Sequence, residues 1–369
     1  MMKRSSFIAA LALGSVCLPA SAFAQYANSP FYDHTVELSQ AHGLESIGLR
    51  LDLAAAFTAP YDDELVETIE GMTGAPLARF NGTLTQSNPE LATALAAALH
   101  EVSEAVEDGA DPTAAIAEAR ELLEQAYSAV TSVALRDDPA FNGGIIINLL
   151  LAEEGVAEGL EEAVENDEPW EYPNGYVALQ RVKALWQEIK RGASEQRLAD
   201  GQEMLDLLDT LYPQAEPPES LAGLNPEEAE GPSQRLGGIV EEAVDADLYP
   251  GRELPRLVTH LAEVTAAACA VYPEQAEVAA ETIYAVFDLY DAHVDKVAGM
   301  FAPEAQEQAS ELFGQLIGAG EDDDDEAAEG AVTSETAPAA ANEDDALSAT
   351  DACGELAEAF AGLKTALGG

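Results

Sequence analysis

The sequence predicts an all-α protein of repeated antiparallel up-and-down helical bundles with a disordered acidic tail. Three observations support this prediction. Alanine, leucine and glutamate are abundant, whereas aromatic residues make up only 6% of the 369 residues, and this balance favours helix over sheet. Apolar residues recur three and four positions apart between proline-bearing turns. Similar segments also recur at a nearly constant spacing, which is typical of a repeat architecture.

The first 24 residues are typical of a secretory signal peptide. Lys3 and Arg4 precede an apolar stretch at 7–18, and Ala-Phe-Ala at 22–24 forms a small-x-small cleavage site. That stretch is too short to span a bilayer, and no later stretch reaches about 18 uninterrupted apolar residues. We therefore expect a periplasmic protein that does not span the membrane.

Self-similar segments divide the rest of the chain into units. Residues 160–164 resemble 240–244, and residues 203–212 resemble 281–290, while 121–127 gives a partial third copy. The expected units are an N-terminal helical segment (25–90), a partial repeat (91–151), two helical repeats (152–224 and 225–320), a disordered acidic linker (321–350) and a short C-terminal helix (351–369).

Individual helices follow from apolar spacing and turn residues. In the last repeat we expect helices at 234–247, 254–271 and 275–300. Residues 31–43 and 62–70 are expected to be helical as well, and 74–89 to form a loop. The helix near the C-terminus either docks back onto the bundle or binds a partner.

Charge and cysteine content restrict the function. The chain has 69 acidic and 16 basic residues, a formal net charge of −53, so it lacks the clustered basic residues that a nucleic-acid partner requires. Residues 321–345 hold eleven acidic residues and no basic one, which favours disorder. Cys269 and Cys353 form a disulfide in an oxidising compartment, or Cys269 is a buried thiol.

The sequence contains no nucleophile elbow, zinc-protease motif, phosphate-binding loop or dinucleotide fingerprint. We therefore expect a protein that is not an enzyme. Acid–base carboxylate pairs stay open as an alternative, because 69 acidic residues would conceal such a pair.

The first candidate metal set is His34, Glu37, His42 and Glu45. At about 100° per residue these side chains fall within one arc of about 140° if a single helix carries all four. Imidazole together with carboxylate suits iron, zinc, copper or manganese. The alternative is that they are scattered polar residues of a mobile N-terminal segment.

The second candidate metal set is Glu154, Glu158, Glu161 and Glu165. On an ideal helix they form a narrow row of carboxylates, which binds hard cations only if a facing helix completes the coordination sphere. The alternative is an ordinary solvated helix face in a strongly acidic chain.

The segment 149–186 carries an Ala-Glu-Glu-Gly-Val-Ala-Glu-Gly-Leu-Glu-Glu-Ala-Val start, an acidic turn and a tyrosine-bearing helix. It resembles the extracytoplasmic helical domain attached to bacterial high-affinity iron permeases, and 284–316 is similar to the later helix pair of that domain. Residues 41–45 share the His and Glu of the Gly-x-His-x-x-Glu motif of imelysin-like periplasmic iron proteins, with Gln40 in place of the glycine.

The resemblance implies a periplasmic, iron-uptake protein that offers carboxylates and histidines to iron, with an inner-membrane iron permease as its partner. The permease's membrane helices and Arg-Glu-x-x-Glu motif are missing, so this chain does not itself transport. The first hypothesis is therefore a non-catalytic periplasmic metal-binding protein, for iron or another divalent cation. The alternative is an acidic structural or interaction module of the cell envelope without a specific metal site.

Overall fold

The computed structural model describes residues 28–152, 155–166, 168–218, 220–221, 223–318 and 348–367. These ranges are predominantly helical and contain no strand, which confirms the all-α prediction. The expected signal peptide, Glu154 and most of the expected acidic linker lie outside the described residues. No helix within these ranges is both long and apolar enough to cross a membrane.

Most of the α-helices follow one another along the chain with short connections. They are α1 (Pro30–Asp33), α2 (Thr35–Ala56), α3 (Asp63–Glu70), α4 (Ala75–Ala78), α5 (Asn81–Ser87), α6 (Pro89–Glu107), α7 (Thr113–Val130), α8 (Val133–Arg136), α9 (Pro139–Leu151), α10 (Glu158–Glu161), α11 (Glu171–Ile189), α12 (Glu195–Leu211), α13 (Glu227–Val244), α14 (Leu254–Val271), α15 (Ala276–His293), α16 (Asp295–Phe301), α17 (Pro303–Ile317) and α18 (Ala349–Ala366). Longer segments separate α12 from α13 and α17 from α18.

Helix α2 lies at the centre of the N-terminal part of the fold. It packs against α4, α7, α11 and α15, so its apolar residues are buried on several sides rather than along one stripe. Gly43 allows α4 to approach closely, because a Cβ there would overlap the carbonyl oxygen of Pro76 in α4. Helix α2 continues to Ala56, well past the expected end at residue 43.

Several sequence-based boundaries are wrong. The expected helix at 31–43 is divided into α1 and the much longer α2, and the expected helix at 234–247 begins earlier and ends earlier, as α13. The expected loop at 74–89 instead contains α4 and α5, because Phe80 and Leu84 bury their side chains fully in the core. The expected helix at 275–300 is interrupted at Val294, which separates α15 from α16. In contrast, the expected helix at 254–271 has the same bounds as α14.

The C-terminal helix docks back onto the fold. Helix α18 packs against α14 and α17, and Phe360 packs its ring against those of Tyr290 and Phe313. A disulfide between Cys269 and Cys353 joins α14 to α18, which resolves the two alternatives for Cys269 in favour of the bridge. The last helix is therefore held by both a covalent bond and a buried apolar face.

Candidate functional site

The first predicted metal set does not form one arc of a helix. His34 precedes α2 with a non-helical backbone (φ −140°, ψ 42°), so the angular spacing that placed it beside Glu37 does not apply. Its ring stands edge-on to the Phe141 ring, with the ring centroids 6.4 Å apart. Glu37 lies in the first turn of α2 and is partly exposed.

Glu45 of this set is engaged by an arginine. Its side chain is buried, and Arg181 of α11 donates to both carboxylate oxygens, with Nε–Oε2 and Nη2–Oε1 distances of 2.6 Å. A metal ion at Glu45 would have to compete with this bidentate pair. No local pattern in the sequence indicates the pairing, because the two residues are 136 positions apart.

His42 lines a small cavity between α2 and the C-terminal end of α9. The cavity has a volume of about 20 Å³, and Ser46, Asn148 and Gly155 also line it. A space of this size holds about one water molecule. His42 also acts electrostatically on Asp288 of α15 and favours the charged form of that carboxyl.

The second predicted metal set lies on an irregular segment. Glu158 and Glu161 belong to the short α10, whereas Glu165 lies in a π-helical turn at Glu162–Asn166. Hydrogen bonds from i to i+5 change the angle between successive residues, so the narrow row expected for an ideal helix is not maintained. Glu154 lies outside the described residues.

Burial raises the pKa of the Glu158 carboxyl, and the nearby charge of Glu161 raises it further, while Lys296 lowers it. Within the described ranges, no three His, Cys, Asp or Glu side chains are grouped in a way that could hold a metal ion. Both metal sets therefore stay predictions that await a binding measurement.

A buried polar network, which none of the sequence-based predictions includes, lies on one face of α15. Arg79 donates to Asp288, with an Nη2–Oδ1 distance of 2.9 Å, and Ser39 Oγ donates to Asp288 Oδ2 over 2.7 Å. Burial raises the pKa of the Asp288 carboxyl, but Arg79, His42 and Ser39 together outweigh burial, and the net pKa lies below its ordinary value.

Glu281 lies two turns before Asp288 in α15 and is 1% exposed. It accepts hydrogen bonds from the backbone N–H of Thr83 (2.7 Å), the Thr83 hydroxyl and Gln40 Nε2 (3.2 Å). Burial raises the pKa of Glu281 although these donors oppose the shift. The network joins α15 to α2 and α5, so its evident role is to hold helices together.

A second polar cluster anchors the first described residues. The Tyr32 hydroxyl donates to the carbonyl oxygen of Pro250 over 3.1 Å, and the Arg256 guanidinium lies 4.1 Å from the centre of the Tyr32 ring. His260 of α14 packs edge-on against the same ring, and its Nε2 lies 2.8 Å from Thr35 Oγ1. The start of the fold is thereby attached to α14.

We expect His260 to make stability depend on pH. Burial lowers the pKa of its imidazole, Arg256 acts in the same direction, and Glu263 and Asp33 oppose them. The neutral ring therefore stabilises the fold above its ordinary pKa of about 6.5, and this contribution is lost as the pH falls from there through the lower folded pKa.

The measurement is urea unfolding of the wild type and of His260→Gln at pH 7.5 and pH 5.5. The two proteins share every carboxylate, so the difference between them isolates the imidazole. Wild type should lose stability relative to His260→Gln on acidification. Equal changes in the two proteins would contradict the prediction.

Many of the basic side chains form ion pairs within the molecule. The described arginine and lysine partners are Arg79–Asp288, Arg120–Asp52, Arg136–Glu124, Arg181–Glu45, Lys183–Asp209, Arg197–Glu242, Arg252–Glu241 and Arg256–Glu253. Since the chain has only 16 basic residues against 69 acidic ones, these pairs leave a large excess of carboxylates. Such a surface attracts positively charged partners and repels other acidic molecules.

Comparison with protein-family models, curated proteins and solved structures finds no match. The resemblance to the domain of iron permeases therefore stays a prediction.

Proposed function

We propose that the protein is a non-catalytic, exported helical module that binds positively charged partners through its acidic surface. The observation that carries the proposal is the distribution of charge. Several of the few basic side chains pair with carboxylates of the same molecule, and the chain's 16 basic residues are far fewer than its 69 acidic ones. Electrostatic complementarity of this kind raises the rate and specificity of association.

Export is supported by two features. The N-terminal sequence has the composition of a signal peptide, and Cys269 and Cys353 form a disulfide, a bond that persists mainly in oxidising compartments. The absence of catalytic motifs from the sequence supports a binding role over an enzymatic one.

A second candidate function is periplasmic metal binding associated with iron uptake, with an inner-membrane iron permease as the recipient. The observation that favours it is His42, which lines a cavity beside the C-terminal end of α9 and shares α2 with Glu37. Glu45 fits this candidate poorly because Arg181 occupies both of its oxygens.

One set of titrations tests both candidates. The full chain without its first 24 residues is titrated at about 0.15 M ionic strength with a lysine-rich peptide and, separately, with Fe(II), Fe(III), Zn²⁺ and Ca²⁺. The same titrations are repeated on a His34→Ala/His42→Ala variant. His100→Ala is the matched control, because His100 is exposed and belongs to neither metal set.

Saturable binding of the peptide, with weak metal uptake that salt removes and that is equal in all variants, supports the interaction module. A stoichiometric, salt-resistant metal site that is lost only in the double variant supports the metal-binding protein instead. If neither ligand saturates, both candidates are wrong.

A further inference from the structure

Residues 28–34 form a strap, a short segment that includes α1 and is held to the chain around the start of α14. Three hydrogen bonds join the strap to the segment before α14. Ser29 Oγ donates to the carbonyl oxygen of Asp247 over 2.7 Å, and the Asp247 N–H donates to the carbonyl oxygen of Asn28 over 2.9 Å. The third bond runs from the Tyr32 hydroxyl to the carbonyl oxygen of Pro250.

The strap also covers part of α9. Pro30 and Phe31 are buried, and Gly144 leaves room for Pro30, because a Cβ at Gly144 would lie 3.3 Å from Pro30 Cγ. The His34 ring stands edge-on to the Phe141 ring. Departure of the strap would therefore uncover an apolar face of α9.

The attachment of this region to α14 itself is made by Tyr32 and Thr35. The guanidinium of Arg256 and the imidazole of His260, one turn apart on α14, lie 4.1 Å and 5.1 Å from the centre of the Tyr32 ring. Thr35 Oγ1 donates its hydrogen to the carbonyl oxygen of Phe31 over 2.7 Å and lies 2.8 Å from His260 Nε2. Because the single hydroxyl hydrogen is already used, Nε2 carries the proton of the neutral ring and donates to Thr35.

Acidification therefore adds a second proton to His260 at Nδ1 and gives the ring a positive charge. Burial opposes this charge, and Arg256 opposes it too, because like charges one helical turn apart repel each other. Glu263 on α14 and Asp33 on the strap favour the charged ring. Burial and Arg256 outweigh them, and the pKa of the imidazole lies below its ordinary value.

We propose that the strap is acid-sensitive: protonation of His260 releases residues 28–34 from α14 and uncovers the apolar face of α9 beneath them. Tyr32 and Thr35 cover the ring in the docked state, whereas release exposes it to water. Protonation therefore shifts the equilibrium toward release. A short segment with few contacts opens at a lower free energy than the core helices, so release does not require global unfolding.

The test is amide hydrogen exchange of the full chain without its first 24 residues, at pH 7.5 and pH 5.5. Each rate is divided by the intrinsic rate at the same pH, which gives a protection factor. The reporters are the strap amides of Tyr32, Asp33 and His34 and the amide of Asp247, whose acceptor is the carbonyl oxygen of Asn28. Amides of buried residues in α15 report global unfolding.

Two variants assign the response to one histidine. His260→Gln keeps a side-chain donor near Thr35 but does not titrate. His293→Gln is the matched control, because burial also lowers the pKa of His293, and its ring lies against Gly251, the residue after Pro250. Asp247 and Glu253, the acidic groups that act on Tyr32 from the segment before α14, are present in every variant.

We expect the reporter protection factors to fall severalfold in wild type and in His293→Gln, by at most about tenfold, because pH 5.5 lies one unit below the ordinary histidine pKa of about 6.5. In His260→Gln they should stay constant within about twofold. Protection in α15 should fall much less than in the strap.

Three results would overturn the proposal: equal falls in wild type and His260→Gln, a fall that His293→Gln abolishes, or an equal fall in α15. If His260→Gln has already lost the strap at pH 7.5, wild type alone decides. Nuclear magnetic resonance then gives the pKa of the His260 ring, and strap protection should fall between that pKa and about 6.5. A fall outside this interval would show that another group controls the strap.

Discussion

Replacing Arg181 by methionine should lower the free energy of unfolding by about 2–4 kcal/mol. The substitution keeps most of the side-chain volume and leaves the buried Glu45 carboxylate without the two donors that now hold it. Breaking a buried pair from one side is costly because a desolvated charge then has no counter-charge. Arg181 is 34% exposed, so water compensates for part of the loss. Urea unfolding measures the effect.

The matched control is Lys183→Met on the same helix. Lys183 pairs with Asp209, but both side chains are about one-third exposed, and such a pair contributes about 0–1 kcal/mol. Adding Glu45→Gln to Arg181→Met should restore part of the stability, because the neutral amide no longer needs a counter-charge. Equal losses in the Arg181 and Lys183 variants would show that burial of Glu45 does not determine the cost.

Local features of this fold were predictable from sequence. The bounds of α14 follow from Pro255 in its first turn and from the Tyr272-Pro273 turn after it, and both are signals within a few residues of the helix. The docking of α18 was one of two stated alternatives, since its apolar spacing requires a partner surface but does not identify it. The disulfide between Cys269 and Cys353 was left open for the same reason.

The polar pairings were not predictable, because they join residues far apart in the chain. Thr83 and Glu281 are 198 positions apart, and Arg79 and Asp288 are 209 apart. The chain has 69 acidic residues, and no local sequence pattern identifies which of these carboxylates pairs with a given arginine. The one sequence feature that could have indicated the network is the i, i+7 spacing of Glu281 and Asp288, which places both carboxylates on one face of α15.

Neither predicted metal set lies on one ideal helix along its whole length. Helix α2 begins one residue after His34, and a π-helical turn follows Glu161. The assigned ends of a helix vary by one or two residues even in structures. The direction of a metal-ligating side chain near such an end is therefore hard to predict from helical spacing. His42 and Glu45 both lie within α2, so the helical spacing assumed between these two residues is present there.

Replacing Phe360 by alanine should destabilise the docking of α18 by about 3–5 kcal/mol. The Phe360 side chain is fully buried, and its ring lies 5.7 Å from the Tyr290 ring and 6.1 Å from the Phe313 ring, edge-on to both. Alanine would leave a cavity between α15, α17 and α18 that these aromatic residues cannot fill without moving. Amide hydrogen exchange in α18 measures the effect directly, because the opening of one helix need not unfold the rest of the chain.

Glu358→Ala on the same helix is the matched control, because Glu358 is exposed and a surface change of this kind stays within about 0.5 kcal/mol. The disulfide still attaches α18 to α14 in the Phe360 variant, across a sequence separation of 84 residues. Reducing it with dithiothreitol removes about 2–4 kcal/mol more, so the amides of α18 should then exchange as in an undocked helix, while those of reduced wild type should stay protected. If reduced Phe360→Ala retains wild-type protection in α18, contacts other than the aromatic cluster hold the helix in place.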